Sequence, residues 1–368
     1  MRYALNPNQT EAAEAKQRDF DCYFSSYAYL YHQKEMLQDM QRMDAYHGAI
    51  MGIQDHIQGK KVLDIGAGTG ILSIWAKIAG AQKVWAVEFT DMAKYAKKLC
   101  KANDPDGVIS VLQQSAEEVI LDSRVDIIVS EWMGMFLLRE SMLDSLIRVR
   151  DRLLKPDGLM MPSHATMYWG LTSNEYEYDK LKSEMDEATQ AWRPFIDQIA
   201  DKYGVKLHAL SSDYAQEQKE YYIHHSRWVS LGSEDVVCPG VPVKHINVKT
   251  VTLKQAKGVE PTPFRFEATK DANVTGFLGW FDTTFRVDST DTDPVVLSTS
   301  PKAGPTHWGQ QFFPFEKTLF LKKGDIIEGT MEMFRSNFTQ RTYKVRATWK
   351  LLGVDATTPT KSALWHIE

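Results

Sequence analysis

Two glutamates, Glu131 and Glu140, lie nine positions apart in the otherwise largely apolar segment SEWMGMFLLRES, residues 130–141. An unpaired carboxylate is expensive to bury, so two of them in such a setting call for a cation. Nine residues make about two and a half helical turns, which would send the side chains to opposite sides of one helix. They converge only if the segment is a loop, and Gly134 together with the strand-like VDIIVS before it allows one. That loop would leave the carboxyl end of a strand, where open α/β sheets keep their ligand crevice. A guanidinium suits the pair, because it is planar, offers five donors and meets carboxylates in bidentate fashion. The plain alternative is a Glu131 that caps the loop and a Glu140 solvated on the next helix. A carboxylate pair cleaving a glycosidic bond is a third reading, without the sugar-stacking residues it would need.

A second chemical signal is VLDIGAGTG, Val62 to Gly70. An apolar strand runs into Gly66, Gly68 and Gly70 and then into a helix, the βα turn at which doubly wound sheets bind nucleotides. The spacing is GxGxG rather than the dinucleotide fingerprint GxGxxG. Asp64 precedes the loop, and Glu88 ends the following strand, where an acid accepts from ribose hydroxyls. A phosphate-poor nucleoside such as S-adenosylmethionine and a dinucleotide both fit this loop by itself.

The elements that must position these groups follow from pattern. Residues from about Glu11 to Ile53 lack proline and are rich in Ala, Gln, Met and Lys, which predicts helix. On that helix Met36, Asp39 and Arg42 recur every three residues and would share a broad face. Next come KKVLDIG, a helix from Ile71 to Ala79, KVWAVE, a helix over Met92–Lys101, ISVLQQ and VDIIVSE. This alternation predicts a mostly parallel sheet. A helix over Leu143–Leu154 is expected to stop at the turn Lys155-Pro156-Asp157-Gly158. Beyond Pro162, strand-like segments recur between turn residues, as in an antiparallel sandwich or barrel. A polar helical insertion spans about Asn174 to Tyr222, with Trp192, Phe195 and Ile199 as its apolar seam. The chain of 368 residues has 43% apolar and 25% charged content and a net charge of −5. That balance speaks against general nucleic-acid binding and suits basic partners. Cys22, Cys100 and Cys238 form no CxxC pair, no stretch approaches a membrane span, and a reducing intracellular compartment is expected.

With these pieces in place the chain resembles the type I protein arginine methyltransferases over nearly its whole length. VLDIGAGTG resembles the family's S-adenosylmethionine loop and SEWMGMFLLRESML its double-glutamate loop. YFSSY (Tyr23 to Tyr27) resembles its YFxxY helix, and Thr306-His307-Trp308 its Thr-His-Trp loop. LLRESML and PVVLSTSPKAGPTHW look most similar to the family's sixth member. The resemblance implies an α/β Rossmann-like S-adenosylmethionine-dependent methyltransferase domain plus an antiparallel β-barrel domain with a helical dimerisation arm. The expected boundaries are an N-terminal helical segment at 1–50, the cofactor domain at 51–162 and the barrel at 163–368, with the arm at about 182–222.

Site roles are implied in the same way. Glu131 and Glu140 would clamp a substrate guanidinium, with Asp39 and His307 as a proton-relay pair beside them. Arg42 would meet the methionine carboxylate of the cofactor, Glu88 its ribose and Glu117 its adenine amine, with Asp64, Gly66 and Gly68 forming the cofactor loop. Phe24 would cover the adenine while Tyr23 and Tyr27 close the segment over the site, Tyr27 on the substrate side. Met36, Met142 and Trp308 would shape the arginine pocket, and no metal is required. Taken singly, each has an ordinary use as well. Asp39 and Arg42 could be an i,i+3 ion pair, the methionines core filler and His307 a hydrogen-bonded structural histidine. His224-His225 lacks partners at metal-ligand spacing.

The implied activity is methyl transfer to arginine in proteins such as histone tails or Arg-Gly-rich RNA-binding proteins. Monomethyl and then asymmetric dimethyl products are expected from a homodimer in the cytoplasm or nucleus, with no membrane and no direct nucleic-acid contact. Three positions depart from the family pattern: Gln33 stands where a histidine is common, Arg139 where an aromatic or histidine precedes the second glutamate, and Gly309 where lysine is frequent. A cation at Arg139 keeps a catalytically weak regulatory homologue in view. A dinucleotide oxidoreductase is disfavoured by the GxGxG spacing.

Overall fold

The computed structural model describes residues 23–25, 27–288, 292–336, 339–352 and 359–367. Cys22, Ser26 and the first part of the expected N-terminal helix, up to residue 22, lie outside them. Two helices, α1 (Leu30–Gln38) and α2 (Met40–Gly52), replace the single helix expected to reach Ile53. The chain breaks at Asp39, which is extended (φ −73°, ψ 90°) and caps α2 by accepting the Arg42 N–H at 3.0 Å. A short polar acceptor gains more at a helix start than inside a helix, which is why an aspartate interrupts an otherwise helical run. Met36 and Arg42 therefore sit on different helices rather than on one shared face. They still meet, because Arg42 Nη1 donates to the Met36 carbonyl at 3.1 Å. A one-turn helix, α3 (Gln54–Ile57), leads into the first sheet.

That sheet contains β1 (Lys61–Ile65), β2 (Lys83–Glu88), β3 (Ile109–Gln113), β4 (Val125–Val129) and β5 (Leu154–Met161), all parallel, in the order β3-β2-β1-β4-β5. Helices α4 (Ile71–Ile78), α5 (Met92–Asn103) and α6 (Met142–Leu153) connect them. Strand order reverses between β1 and β4, so the loops leaving these two neighbours border the crevice of a doubly wound sheet. Those loops are the glycine-rich segment and the double-glutamate segment. One expectation changes here. Lys155-Pro156-Asp157-Gly158 lies inside β5 rather than beyond a helix, and its extra residues are taken up by a register shift against β4 between Val125 and Ile127.

The second half contains two antiparallel sheets. One runs β7-β12-β10-β6-β8 with β11 paired to β10: β6 (His164–Thr172), β7 (Arg227–Val229), β8 (Val241–Asn247), β10 (Ala272–Phe285), β11 (Val295–Ser298) and β12 (Gln310–Leu321). The other runs β15-β14-β13-β9: β9 (Gly258–Glu267), β13 (Ile326–Arg335), β14 (Tyr343–Leu352) and β15 (Lys361–Ile367). They close as a barrel around aromatic rings. Phe277 is fully buried, and its ring lies 4.9 Å from Trp169 and 5.0 Å from Phe315 of the first sheet, and 5.1 Å from Trp349 of the second. Burying each such ring stabilises the fold by about 1.5–3 kcal/mol.

The insertion is a helical hairpin of α7 (Glu175–Tyr203) and α8 (Ser211–Ile223). Trp192 stacks on Tyr214 at 4.2 Å and donates to Ser211 Oγ at 3.0 Å, so it ties the hairpin together internally. Phe195 stays 45% exposed. The histidine pair is used locally, His224 bonding the Glu220 carboxylate and His225 the Glu220 carbonyl.

The halves are bolted together beside the crevice. Phe136, from the loop after β4, stands against Trp169 and Phe313 of the barrel, and a side chain at Gly279 would strike its ring at 2.5 Å. Arg150 on α6 donates to the carbonyls of Val248 and Val251, and Arg335 on β13 grips Asp144 on α6 with two bonds of 2.7 and 2.8 Å.

Candidate active site

The glycine-rich loop follows β1 with Gly66, Gly68 and Gly70 at φ of +71°, +54° and +86°, a region in which side chains are strained. Its surroundings are tight as well. A side chain at Gly66 would meet the Met142 methyl at 2.4 Å, and one at Gly68 would meet Gln33 at 2.7 Å. Gln33, the departure on α1, is therefore buried against the loop and also donates to the Tyr27 carbonyl at 3.5 Å. Glu88, at the end of β2, accepts from Gly68 N with one oxygen and from Thr90 N and Oγ1 with the other. Asp64 is fully buried and accepts from Ser73 Oγ at 2.7 Å, while its other oxygen has no hydrogen-bond partner among the described residues. Burial pushes its carboxyl up to about 7 despite the Ser73 bonds.

The double-glutamate segment is a loop, not a helix. It begins at Ser130, whose hydroxyl donates to the Ile65 carbonyl at the end of β1. Phe136, Leu137, Glu140 and Ser141 all adopt positive φ, from 47° to 79°. Such conformations cost on the order of 1–3 kcal/mol each and persist only where the surroundings enforce them. Around Phe136 and Leu137 the enforcement is apolar: Trp132, Met133, Phe136, Leu137 and Leu138 are all buried. Gly134 is needed because a side chain there would run into the Arg139 carbonyl.

Both acids are held inside, with side chains 12% and 16% exposed for Glu131 and Glu140. Each faces an arginine of the chain itself. Glu131 pairs with Arg42 Nη2 at 3.3 Å, and Glu140 with Arg139 Nη1 at 3.2 Å. Glu140 also accepts from the Tyr27 hydroxyl at 2.9 Å. Burial, joined by the Glu131 charge, holds its carboxyl above the usual range against the opposing pull of Arg139 and Tyr27. The same burial and the neighbouring Glu140 charge keep the Tyr23 and Tyr27 phenols well above theirs.

On the other side of Arg42 lies the Asp39–His307 pair. Asp39 accepts from His307 N at 2.8 Å, and its carboxylate lies 2.7 Å from His307 Nδ1. Burial would raise Asp39, but the bonds from His307 and the Arg42 backbone outweigh it and hold the carboxyl below the usual range. The His307 ring rests on Trp308 at 3.8 Å, and the buried Trp308 donates to the Met133 carbonyl within the double-glutamate loop. Thus Glu131, Arg42, Asp39, His307 and Trp308 form one connected array, although they come from three separate parts of the sequence. Met36 joins through its carbonyl, while Met142 lies against Gly66 of the glycine-rich loop. Gly309 follows with φ +50°, and a side chain there would strike the Val229 carbonyl at 2.3 Å, so a lysine would not fit this backbone.

Glu117 faces α6. It is 44% exposed, accepts from Ser145 Oγ at 3.0 Å and lies 3.7 Å from Arg148. At the N-terminal end, Phe24 packs on Phe89, the residue after Glu88, at 4.5 Å, while Tyr23 contacts Tyr27 at 5.1 Å. One participant had no signal in the sequence. Arg341, in the turn between β13 and β14, lies over the Tyr23 ring at 4.0 Å and bonds the backbone of Glu140. A lone arginine in a polar turn cannot be read as part of a site more than two hundred residues away.

The residues fit S-adenosylmethionine on one observation in particular. The buried Nε of Arg42 has no hydrogen-bond partner among the described residues, a donor suited to an anionic group such as an amino-acid carboxylate.

Comparison with known proteins bears on the whole chain. A family model described as the arginine methyltransferase oligomerization subdomain matches residues 165–353, and a methyltransferase-domain model matches 62–158. Protein arginine N-methyltransferase PRMT10 of rice (japonica) is 41% identical over 342 residues, covering 91% of this chain and 89% of that one. The probable protein arginine N-methyltransferase 6.1 of rice (indica) is 35% identical, covering 90% and 88%. A crystal structure of Arabidopsis thaliana protein arginine methyltransferase 10, in a uniquely open conformation, superposes with a TM-score of 0.90 at 37% identity, over 94% of this chain and all of that one. Parallel sheet, barrel, paired acids and sequence likeness agree: the chain belongs to the S-adenosylmethionine-dependent protein arginine N-methyltransferases.

Proposed function

We propose that the protein is a type I enzyme, which transfers methyl groups from S-adenosylmethionine to the guanidino nitrogens of arginine in proteins and yields monomethyl and then asymmetric dimethyl arginine. The observation that carries this is the pair Glu131 and Glu140, largely buried on one rigid loop at the switch point of the sheet and each already in contact with a guanidinium. S-adenosylmethionine supplies an activated methyl on a sulfonium when bound. The work left to the protein is alignment and charge.

Guanidinium is a poor nucleophile, since its lone pairs are delocalised and it stays protonated at neutral pH. Glu131 and Glu140 draw positive charge toward part of the group, leave another nitrogen richer in electrons and offset charge in the transition state. His307, oriented by Asp39, takes the proton that must leave. Arg42, Asp64, Gly66, Gly68, Glu88 and Glu117 hold the donor, Phe24 covers it, and Tyr23 and Tyr27 close the entrance. Met36, Met142 and Trp308 crowd the accepting nitrogen, and the Met142 methyl against Gly66 supports that placement. Protein substrates rich in Arg-Gly, or histone tails, suit the two paired acids in a chain of net charge −5. A homodimer formed through the helical hairpin is supported by the exposed Phe195, Tyr203 and Leu210 and by the oligomerization model spanning that region. The buried thiols Cys100 and Cys238, both unbridged, suit the cytoplasm or nucleus.

The Arg139–Glu140 contact favours a second reading, a weak homologue whose acid is occupied by its own chain. Labelled methyl transfer to an Arg-Gly-rich peptide separates the two, with Glu131→Gln as control and mass-spectrometric fragmentation of the product. Transfer that Glu131→Gln abolishes, with asymmetric dimethylarginine as end product, is expected. An inactive wild type, or symmetric product, rejects the type I assignment.

A further inference from the structure

Arg341, just before β14, lies beside the crevice and touches two different parts of the site. Its backbone and side chain pin Glu140: the Glu140 N–H donates to the Arg341 carbonyl at 2.9 Å, and Arg341 Nη1 donates to the Glu140 carbonyl at 2.6 Å. Its guanidinium also lies over the rings of Tyr23 at 4.0 Å and Phe24 at 5.1 Å. Tyr23 and Phe24 belong to the segment whose Phe24 rests on Phe89 next to Glu88, and whose Tyr27 bonds the Glu140 carboxylate. One barrel residue thus touches both the aromatic cover of the donor site and the backbone of an acid proposed to meet the substrate.

The acid needs such a clamp. Glu140 and Ser141 hold φ of 79° and 58°, conformations that side-chain-bearing residues leave unless constrained. The neighbouring contacts brace the same corner. Ser141 Oγ bonds the Gln340 carbonyl and lies 3.1 Å from the Tyr343 hydroxyl, and Arg335 bonds both Tyr343 and Asp144. We infer that Arg341 is a positioning residue that couples closure of the aromatic segment over the donor to the placement of Glu140. This rests on the methyltransferase reading and deepens it. Arginine is the residue for the task because a planar cation stacks on a ring with its face while bonding a carbonyl with its edge. Lysine, a point charge on a flexible stem, serves one contact at a time.

The test uses the full-length protein with Arg341→Ala and Arg341→Lys, measuring S-adenosylhomocysteine affinity by calorimetry, kcat and peptide KM by labelled transfer, and melting temperature. Arg341→Ala is expected to weaken S-adenosylhomocysteine binding by about 3- to 30-fold, through the lost cation–π contacts. It is also expected to lower kcat by about tenfold at saturating donor. Arg341→Lys should recover most of the affinity but not kcat, a split that a merely structural role would not produce. Unchanged affinity and kcat in Arg341→Ala, or full recovery of both by lysine, overturns the coupling. If the alanine variant fails to fold, the lysine variant decides alone. An inactive wild type would count against the methyltransferase reading, while the affinity series still judges the link to the aromatic segment.

Discussion

Replacing Arg139 by methionine isolates the most unusual charge in the site. The change keeps an apolar stem of similar reach but deletes the guanidinium that lies 3.2 Å from Glu140. Two effects compete. Arg139 stabilises the ionised Glu140 against burial, and it also occupies an acid that a substrate guanidinium would use. Burial already holds the Glu140 carboxyl above its usual range, and Arg139 is the strongest influence in the other direction. Without it the carboxyl rises further, so at a given pH less of the enzyme carries the charged acid. A hydrogen bond between charged groups contributes about 1.5–3 kcal/mol. Arg139 is 28% and Glu140 16% exposed, so partial screening brings this to about 1–2 kcal/mol. At 1.4 kcal/mol per tenfold, kcat/KM should fall by about 5- to 30-fold on the acid side of the profile. The deficit should shrink toward alkaline pH, where Glu140 ionises unaided. The assay is labelled transfer to an Arg-Gly-rich peptide from about pH 6 to about pH 9. A variant faster than wild type at every pH would refute the argument, since it would mean that Arg139 acts chiefly as a competitor.

Two further outcomes follow from buried carboxylates. Asp64 ionises near 7 in the folded protein against 3.8 ordinarily, so its stabilising proton is fully held below about pH 4 and lost as pH rises through 7. Asp64→Asn should therefore flatten the decline in stability of ligand-free protein between about pH 5 and about pH 8, a decline that the shift puts at about 2–3 kcal/mol over that window. Denaturant melts at the two pH values check this, and parallel slopes for the two proteins would count against it. Asp39→Asn keeps a competent helix cap but removes the charge beside His307, so kcat should fall by about a hundredfold with little loss of melting temperature. Asp39→Ala should lose about 1 kcal/mol of stability in addition; equal kcat in wild type and Asp39→Asn would remove His307 and Asp39 from the proton path.

Legibility in the sequence followed the range of the forces involved. VLDIGAGTG could be read because a tight βα turn demands glycine locally, and all three glycines do take positive φ. The double-glutamate loop could be read because two acids in an apolar run are anomalous wherever they occur. Asp39 misled, since helix propensity summed along residues 11–53 outweighed the capping preference of a single residue. Lys155-Pro156-Asp157-Gly158 misled for a related reason: turn chemistry can be absorbed by a strand that shifts register against its neighbour. Gln33 and Gly309 stood out as departures, but what each one touches was not legible; Arg139 stood next to Glu140 in the sequence, and the fold decided that its side chain turns to that acid.

By itself, the amino-acid order determined the alternation that builds the parallel sheet, the glycines that shape its first loop and the chemical kinds gathered after β4. These are consequences of local sterics and of periodic burial, which act between residues close in the chain. Only the tertiary structure decided which distant charges face each other: Arg42 with Glu131, His307 with Asp39, and Arg341 across both Tyr23 and Glu140. Charge pairing inside a protein depends on distances of a few ångströms set by how the barrel seats against the sheet. No spacing along the chain records that seating.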